Sequence, residues 1–209
     1  MRSAFPVFVF AGPFLLLAFA QQHQQPARAR NAGICGPLDA QSFRCPKFGF
    51  TYKVPFGWVD RTSEMQEDSP EGPAGKSSPR SGSETLLAVF ERPPGAPGET
   101  INSAAVIAAE TLAGYPGVKT AADYFGPITE VAEKQGFKAD GAPYVFAVGG
   151  KQLVRGDFSK PRGKLEMRQS SLVMVEKGNV ISFTFVAGSD EELDDLIRNL
   201  KFGARTAAR

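Results

Sequence analysis

The sequence predicts an α+β fold, an antiparallel sheet with helices packed on it. Three observations predict it. Four strand-like runs in the second half are separated only by short glycine- or proline-bearing spacers, too short for the crossovers that parallel strands need. Apolar residues at helical spacing lie between an early group of strand-like runs and that meander. A last amphipathic helix then closes the domain.

Taken in order, the chain opens on Met1 and Arg2, continues through an apolar run over 4–17, and reaches Ala18-Phe19-Ala20, a small-x-small cleavage signature. Residues 1–20 therefore read as a signal peptide. The apolar run is shorter than the ~20 residues of a membrane-spanning helix and contains Gly12-Pro13, so cleavage is expected over retention as an anchor. Residues 21–34, glutamine-rich with Pro26, Arg28 and Arg30, read as a flexible leader with little to bury. Residues 35–203 read as one folded domain, and 204–209 as a tail.

Within the domain Phe48, Phe50, Tyr52 and Val54 alternate with smaller or polar residues, the period of a half-buried strand. Pro55 and Gly57 then turn the chain into a second short strand at Trp58 and Val59. Residues 66–82 carry Pro, Gly, Ser and charge without an apolar period and read as a long surface loop. A compact apolar strand follows over 85–90. Ile101, Ala104, Ala105, Ile107, Ala108 and Leu112 recur at helical spacing, predicting a helix that Gly114 and Pro116 stop. A second helical stretch starts at Thr120 with Asp123 in the capping-box position and ends at Gly136, and Pro127 is expected to split it in two. Strands follow over 143–148, 152–158, 164–176 and 180–186, with Ile181, Phe183 and Phe185 on the side that faces the main core. The final helix, over 190–200, is capped by Ser189 with Glu192 three residues on, and its apolar side is Leu193, Leu196, Ile197 and Leu200.

Residue counts bound the chemistry. The one histidine, His23, lies in the leader, so the folded part has no histidine for a Ser-His-Asp or Cys-His mechanism or for a histidine metal centre. Cys35 and Cys45, with nine residues between them, fit neither a C-x-x-C redox pair nor a four-ligand zinc site. In an exported chain they read as a structural disulfide contributing roughly 2 to 3 kcal/mol. Gly75-Lys76-Ser77 echoes the end of a phosphate-binding loop, but Pro70 stands where that motif needs glycine. Asp190, Glu191, Glu192, Asp194 and Asp195 read as a solvated helix start, not a calcium loop. No catalytic, cofactor-binding or metal site is expected, and a hydrolase built on carboxylates alone finds no persuasive pair.

One polar surface stands out. Arg155 and Asp157 share a side of their strand, as Glu166 and Arg168 do on the next, so the four can meet across strands as a recognition surface. Lys160 and Arg162 in the adjoining hairpin add positive charge that an acidic partner could use. Phe50, Tyr52 and Trp58 read as core. The formal charge of +2, or +1 once Arg2 is removed, gives no strong field toward nucleic acid or anionic membrane.

The sequence over 48–58, FGFTYKVPFGW, together with Ala121-Ala122-Asp123-Tyr124-Phe125, the LVRGDF strand at 153–158 and the closing FTFVAGSDEEL with Leu200-Lys201-Phe202, resembles the PsbP and Mog superfamily. The resemblance implies an α/β/α sandwich around a central antiparallel sheet, generally non-enzymatic and acting by binding another protein. The export signal directs that expectation outside the cytoplasm, periplasmic or secreted. The chain is thus expected to be a monomeric scaffold or protein-binding domain with an unidentified extracytoplasmic partner, no cofactor and no stable membrane anchor after cleavage. The alternative expectation is a carrier of a small apolar ligand in a pocket around Leu112, Phe125 and Phe146.

Overall fold

Short turns dictate the architecture seen in the computed structural model, which describes residues 35–67, 82–93 and 95–203. Its elements are β1 (Ser42–Cys45), β2 (Phe50–Lys53), β3 (Val59–Asp60), α1 (Thr62–Glu67), β4 (Ser83–Phe90), β5 (Ala104–Thr111), α2 (Phe125–Lys134), β6 (Lys138–Ala139), β7 (Tyr144–Val148), β8 (Lys151–Arg162), β9 (Leu165–Glu176), β10 (Asn179–Ala187), α3 (Asp190–Arg198) and β11 (Leu200–Phe202). The expected signal peptide, the expected leader with His23, the Gly75-Lys76-Ser77 segment and the expected tail lie outside the described residues. So does most of the expected loop; of its described residues, Gln66 and Glu67 end α1, and Gly82 leads into β4, its carbonyl accepting from Thr111 N at 3.1 Å.

Eight strands form one antiparallel sheet in the order β3-β4-β5-β10-β9-β8-β6, with β7 also paired to β8. The fold is α+β. The meander β7 to β10 follows the expected pattern because Gly149-Gly150, Gly163 and Lys177-Gly178 take the positive φ that tight hairpins require. One face of the sheet, carrying Leu87, Ile107, Phe183, Phe185 and Leu172, is covered by a small sheet, β1-β2-β11, together with α3. The opposite face, carrying Phe158, Val173 and Val180, is covered by α2 through Phe125 and Ala132. The layer order is that of an α/β/α sandwich, except that one outer layer is half sheet. Phe183 joins the layers, with Phe50 edge-on at 5.0 Å and Phe202 at 6.1 Å. Phe50 and Tyr52 are core as expected, and Trp58 is partly buried against the same cluster. The Cys35–Cys45 disulfide ties the start of the described chain to the end of β1.

Three expectations are corrected. Residues 104–111 are strand, not helix: β5 lies between β4 and β10, with Ala105 beside Phe185, Ile107 beside Phe183 and Ala109 beside Ile181. Small residues are needed there because the facing aromatics take the volume, and alanine's helix preference of under 1 kcal/mol per residue yields to that packing. Pro127 does not split α2, since it is the third helical residue, where its missing N–H has no intrahelical partner to lose. The last helix stops at Arg198, and Leu200 pairs with Tyr52 in β11. Asp123 does accept from Lys119 N, Thr120 N and Thr120 Oγ1, but this box closes a turn that precedes α2.

Candidate functional site

Strand register brings Arg155, Asp157, Glu166 and Arg168 to one face. Arg155 stands opposite Tyr144 on one side and Leu172 on the other, Asp157 opposite Ser170, Arg168 opposite Ser159 and Glu166 opposite Pro161. Because Leu172 is buried in the cluster that α3 covers, these four share the α3 side of the sheet. They occupy the strip beyond the helix.

The strip is organised around two arginines. Arg155, only 8% exposed, donates from Nε to Asp157 at 2.8 Å and reaches Asp194 of α3 at 3.3 Å. Its guanidinium also lies 5.0 Å from the Phe146 ring centre. Asp157 accepts in addition from the Tyr144 hydroxyl at 2.9 Å and from the Ser170 hydroxyl. Arg168 pairs with Glu166 at 2.6 Å and lies 3.6 Å from Asp140 and 3.7 Å from Asp190 of α3. Burial alone would lower the Arg155 pKa, but the hydrogen bond and charge of Asp157 outweigh it and hold it above the usual arginine value. Burial and the Asp157 hydrogen bond likewise push the Tyr144 hydroxyl up. With two arginines against five carboxylates, the strip is a fixed, net acidic surface that also anchors α3.

Lys160 and Arg162 do not join it. Alternation places both on the α2 side, where Lys160 donates to the Gln135 carbonyl at 2.6 Å and lies 5.4 Å from the Phe137 ring centre. The expected single surface therefore separates into an acidic strip and a hairpin on the other face. The acidic run of α3 is more than a solvated start, for Asp190 and Asp194 reach the arginines and Glu192 accepts from Ser103 at 2.5 Å. Ser189 caps the helix as expected, accepting from Glu192 N.

The apolar pocket is not assembled either. Leu112 and Phe125 lie with the α2-side cluster and Phe146 with the α3-side cluster, so the sheet separates them. A groove of about 610 Å³ lies elsewhere, where the turns at Lys47, Gly149 and Lys177 meet Phe202. Among the described residues no group of three or more His, Cys, Asp or Glu side chains is arranged to hold a metal.

Sequence reasoning missed the edge beside the strip. Among the described residues β7 pairs with β8 alone. Its two-residue turn makes Val148 and Lys151 a hydrogen-bonded pair, so Phe146 and Tyr144 also bond toward β8, while Val145 and Ala147 present N–H and C=O outward. Those outward groups have no partner among the described residues. Tyr144 and Val145 are exposed at 45% and 67%, and residues 141–150 carry no charge. That uncharged run between glycines was the signal available.

No protein-family model and no curated protein matches the chain. Solved structures similar to it include PsbP from the cyanobacterium Synechocystis, at 14% identity over 82% of this chain and 99% of that one, with a TM-score of 0.45. LpqN of Mycobacterium tuberculosis, described as involved in cell envelope biogenesis, is 14% identical over 74% of this chain and 83% of that one, with a TM-score of 0.37. A Bacteroides thetaiotaomicron protein is 11% identical over 77% of this chain, which spans 47% of its length, with a TM-score of 0.37. Likeness at this level carries no argument about activity, and the α+β description rests on the chain's own strands and helices.

Proposed function

We propose that this chain is an exported, non-catalytic domain that binds another protein outside the cytoplasm. The observation that carries this reading is the acidic strip around Arg155 and Arg168, bordered by exposed Tyr144 and Val145. Tyrosine, arginine and a partly dry charge network beside apolar surface are the composition of protein interfaces, where a few such residues carry most of the binding energy. The Cys35–Cys45 disulfide supports the compartment, because such bonds persist where thiols are not kept reduced. On this reading residues 1–20 are removed on export, 35–203 are the binding domain, and the domain acts without a cofactor. The carrier reading is not favoured, since its three pocket residues lie on opposite faces of the sheet.

A photocrosslinking residue placed at Asp194 in the full chain, expressed and irradiated in intact cells, tests it. A discrete adduct is expected from Asp194 and not from the control position Thr100. No adduct, or the same adduct from both positions, overturns the reading.

A further inference from the structure

The β7 edge and the acidic strip lie side by side, and together they define one occupant. We infer that β7 accepts an extended segment of the partner as an added strand, and that this segment alternates basic and apolar residues. The inference rests on the protein-binding reading above and names the chemistry of the partner.

The backbone supplies the first half of the argument. Val145 and Ala147 direct four hydrogen-bonding groups away from β8, and a strand laid alongside at about 4.8 Å would satisfy them. Natural sheets protect such edges with lysine, proline, bulges or covering elements. The opposite edge of this same sheet is protected: Ala88 N–H donates to Thr62 Oγ1 at 3.0 Å, Ala88 C=O accepts from Arg61 N–H at 2.8 Å, and Thr85 C=O accepts from Gln66 Nε2 at 2.6 Å. Tyr144–Val148 carries no charged residue, and although β11 packs near β7, no described residue hydrogen-bonds to the outward groups of Val145 and Ala147.

Side chains supply the second half. Tyr144 and Phe146 stand in the same rows as Arg155 and Leu153, on the α3 side, so a residue of an added strand opposite Tyr144 would border Asp157 and Asp194. Those positions favour lysine or arginine, because the strip is net acidic and the Asp194 side chain is 52% exposed. The alternate positions would lie with Val145 and Ala147, which are exposed and apolar, and favour valine or isoleucine.

The test uses the full chain after export and an acetylated, amidated peptide of four Lys-Val repeats, with binding read by fluorescence anisotropy. The peptide is expected to bind, to weaken with added salt, and to lose about tenfold in affinity when one valine amide, the kind that faces β7, is N-methylated. A Glu-Val peptide of the same length is expected not to bind. Equal binding of the methylated and parent peptides overturns strand addition while leaving strip-mediated protein binding intact. Failure of every peptide alongside a discrete Asp194 adduct overturns this inference alone, and failure of both overturns the two readings together. A concentration-dependent dimer that Val145→Lys dissolves identifies the occupant as a second copy and also overturns it.

Discussion

At the β4 edge the Thr85 carbonyl and both backbone groups of Ala88 are met by α1 and the residue before it, whereas at the β7 edge the groups of Val145 and Ala147 are met by nothing among the described residues. The first edge is covered by a helix that follows directly on β3, so the chain guards it as it is laid down. The second is flanked by an acidic strip that is rigid because its arginines are already paired. One sheet thus has one edge closed by covalent neighbours and another presented with charge beside it. That difference locates the proposed binding surface more sharply than either feature alone.

The largest expected effect lies under the open edge. Arg155→Ala removes the cation shared by Asp157 and Asp194 and the guanidinium against Phe146. Loss of a partner from a fully buried pair costs about 3 to 5 kcal/mol, and here about 2 to 3 kcal/mol is expected because both carboxylates reach water. Urea unfolding measures it, and a loss under 0.5 kcal/mol would mean the strip is surface decoration. At the guarded edge Thr62→Val keeps shape but leaves the buried Ala88 N–H without its acceptor. A loss of about 1 to 2 kcal/mol is expected, with self-association rising as the edge opens. Sedimentation velocity on the same variant reads the second effect, and unchanged association would show that helix cover is not what keeps β4 solitary.

Much of the fold was legible and much of the site was not, for reasons that particular residues show. Ile181, Phe183 and Phe185 declared their strand because one side is core and period 2 survives. Residues 104–111 concealed theirs: a central strand rich in alanine beside aromatics has no alternation to read, and its spacing imitates a helix. The four-charge cluster was readable because alternation along each strand fixes its face, but the carboxylates of Asp140, Asp190 and Asp194 come from other elements. Only the register and the placement of α3 bring them in. Lys160 and Arg162 show the complementary limit, since they lie near the cluster in sequence while strand parity sends their side chains to the opposite face.

Tyr144 links edge and strip, and pH separates its contribution. Its hydroxyl donates to Asp157, and burial together with that bond raises its pKa above the ordinary value of 10.0. The folded value exceeds the unfolded one, so the stabilisation is fully present below about pH 10 and is lost as pH rises through the folded value. Tyr144→Phe is expected to cost about 0.5 kcal/mol near neutrality, at the low end for a hydrogen bond because the ring is solvent-exposed. Tyrosinate absorbance, titrated in the protein and in this variant, should show the missing residue ionising above the free side chain. Ionisation at or below pH 10 would show that Asp157 is not its acceptor.

The smallest stability effect is the most discriminating. Val145→Lys puts a charge at a position whose side chain is exposed and whose outward backbone groups bind nothing among the described residues, so folding stability should change by less than about 0.5 kcal/mol. The same substitution supplies a guard of the kind the β4 edge has from α1, since a lysine on an edge strand must lose hydration when another strand pairs beside it. Its ammonium would lie on the α2 side, away from Asp157 and Asp194, and gains nothing from the strip. Thermal unfolding should therefore coincide with that of the unaltered chain while the Lys-Val peptide loses affinity. A drop of more than 1 kcal/mol would instead mean that Val145 is packed against something in solution, and the contrast between the two edges would disappear with it.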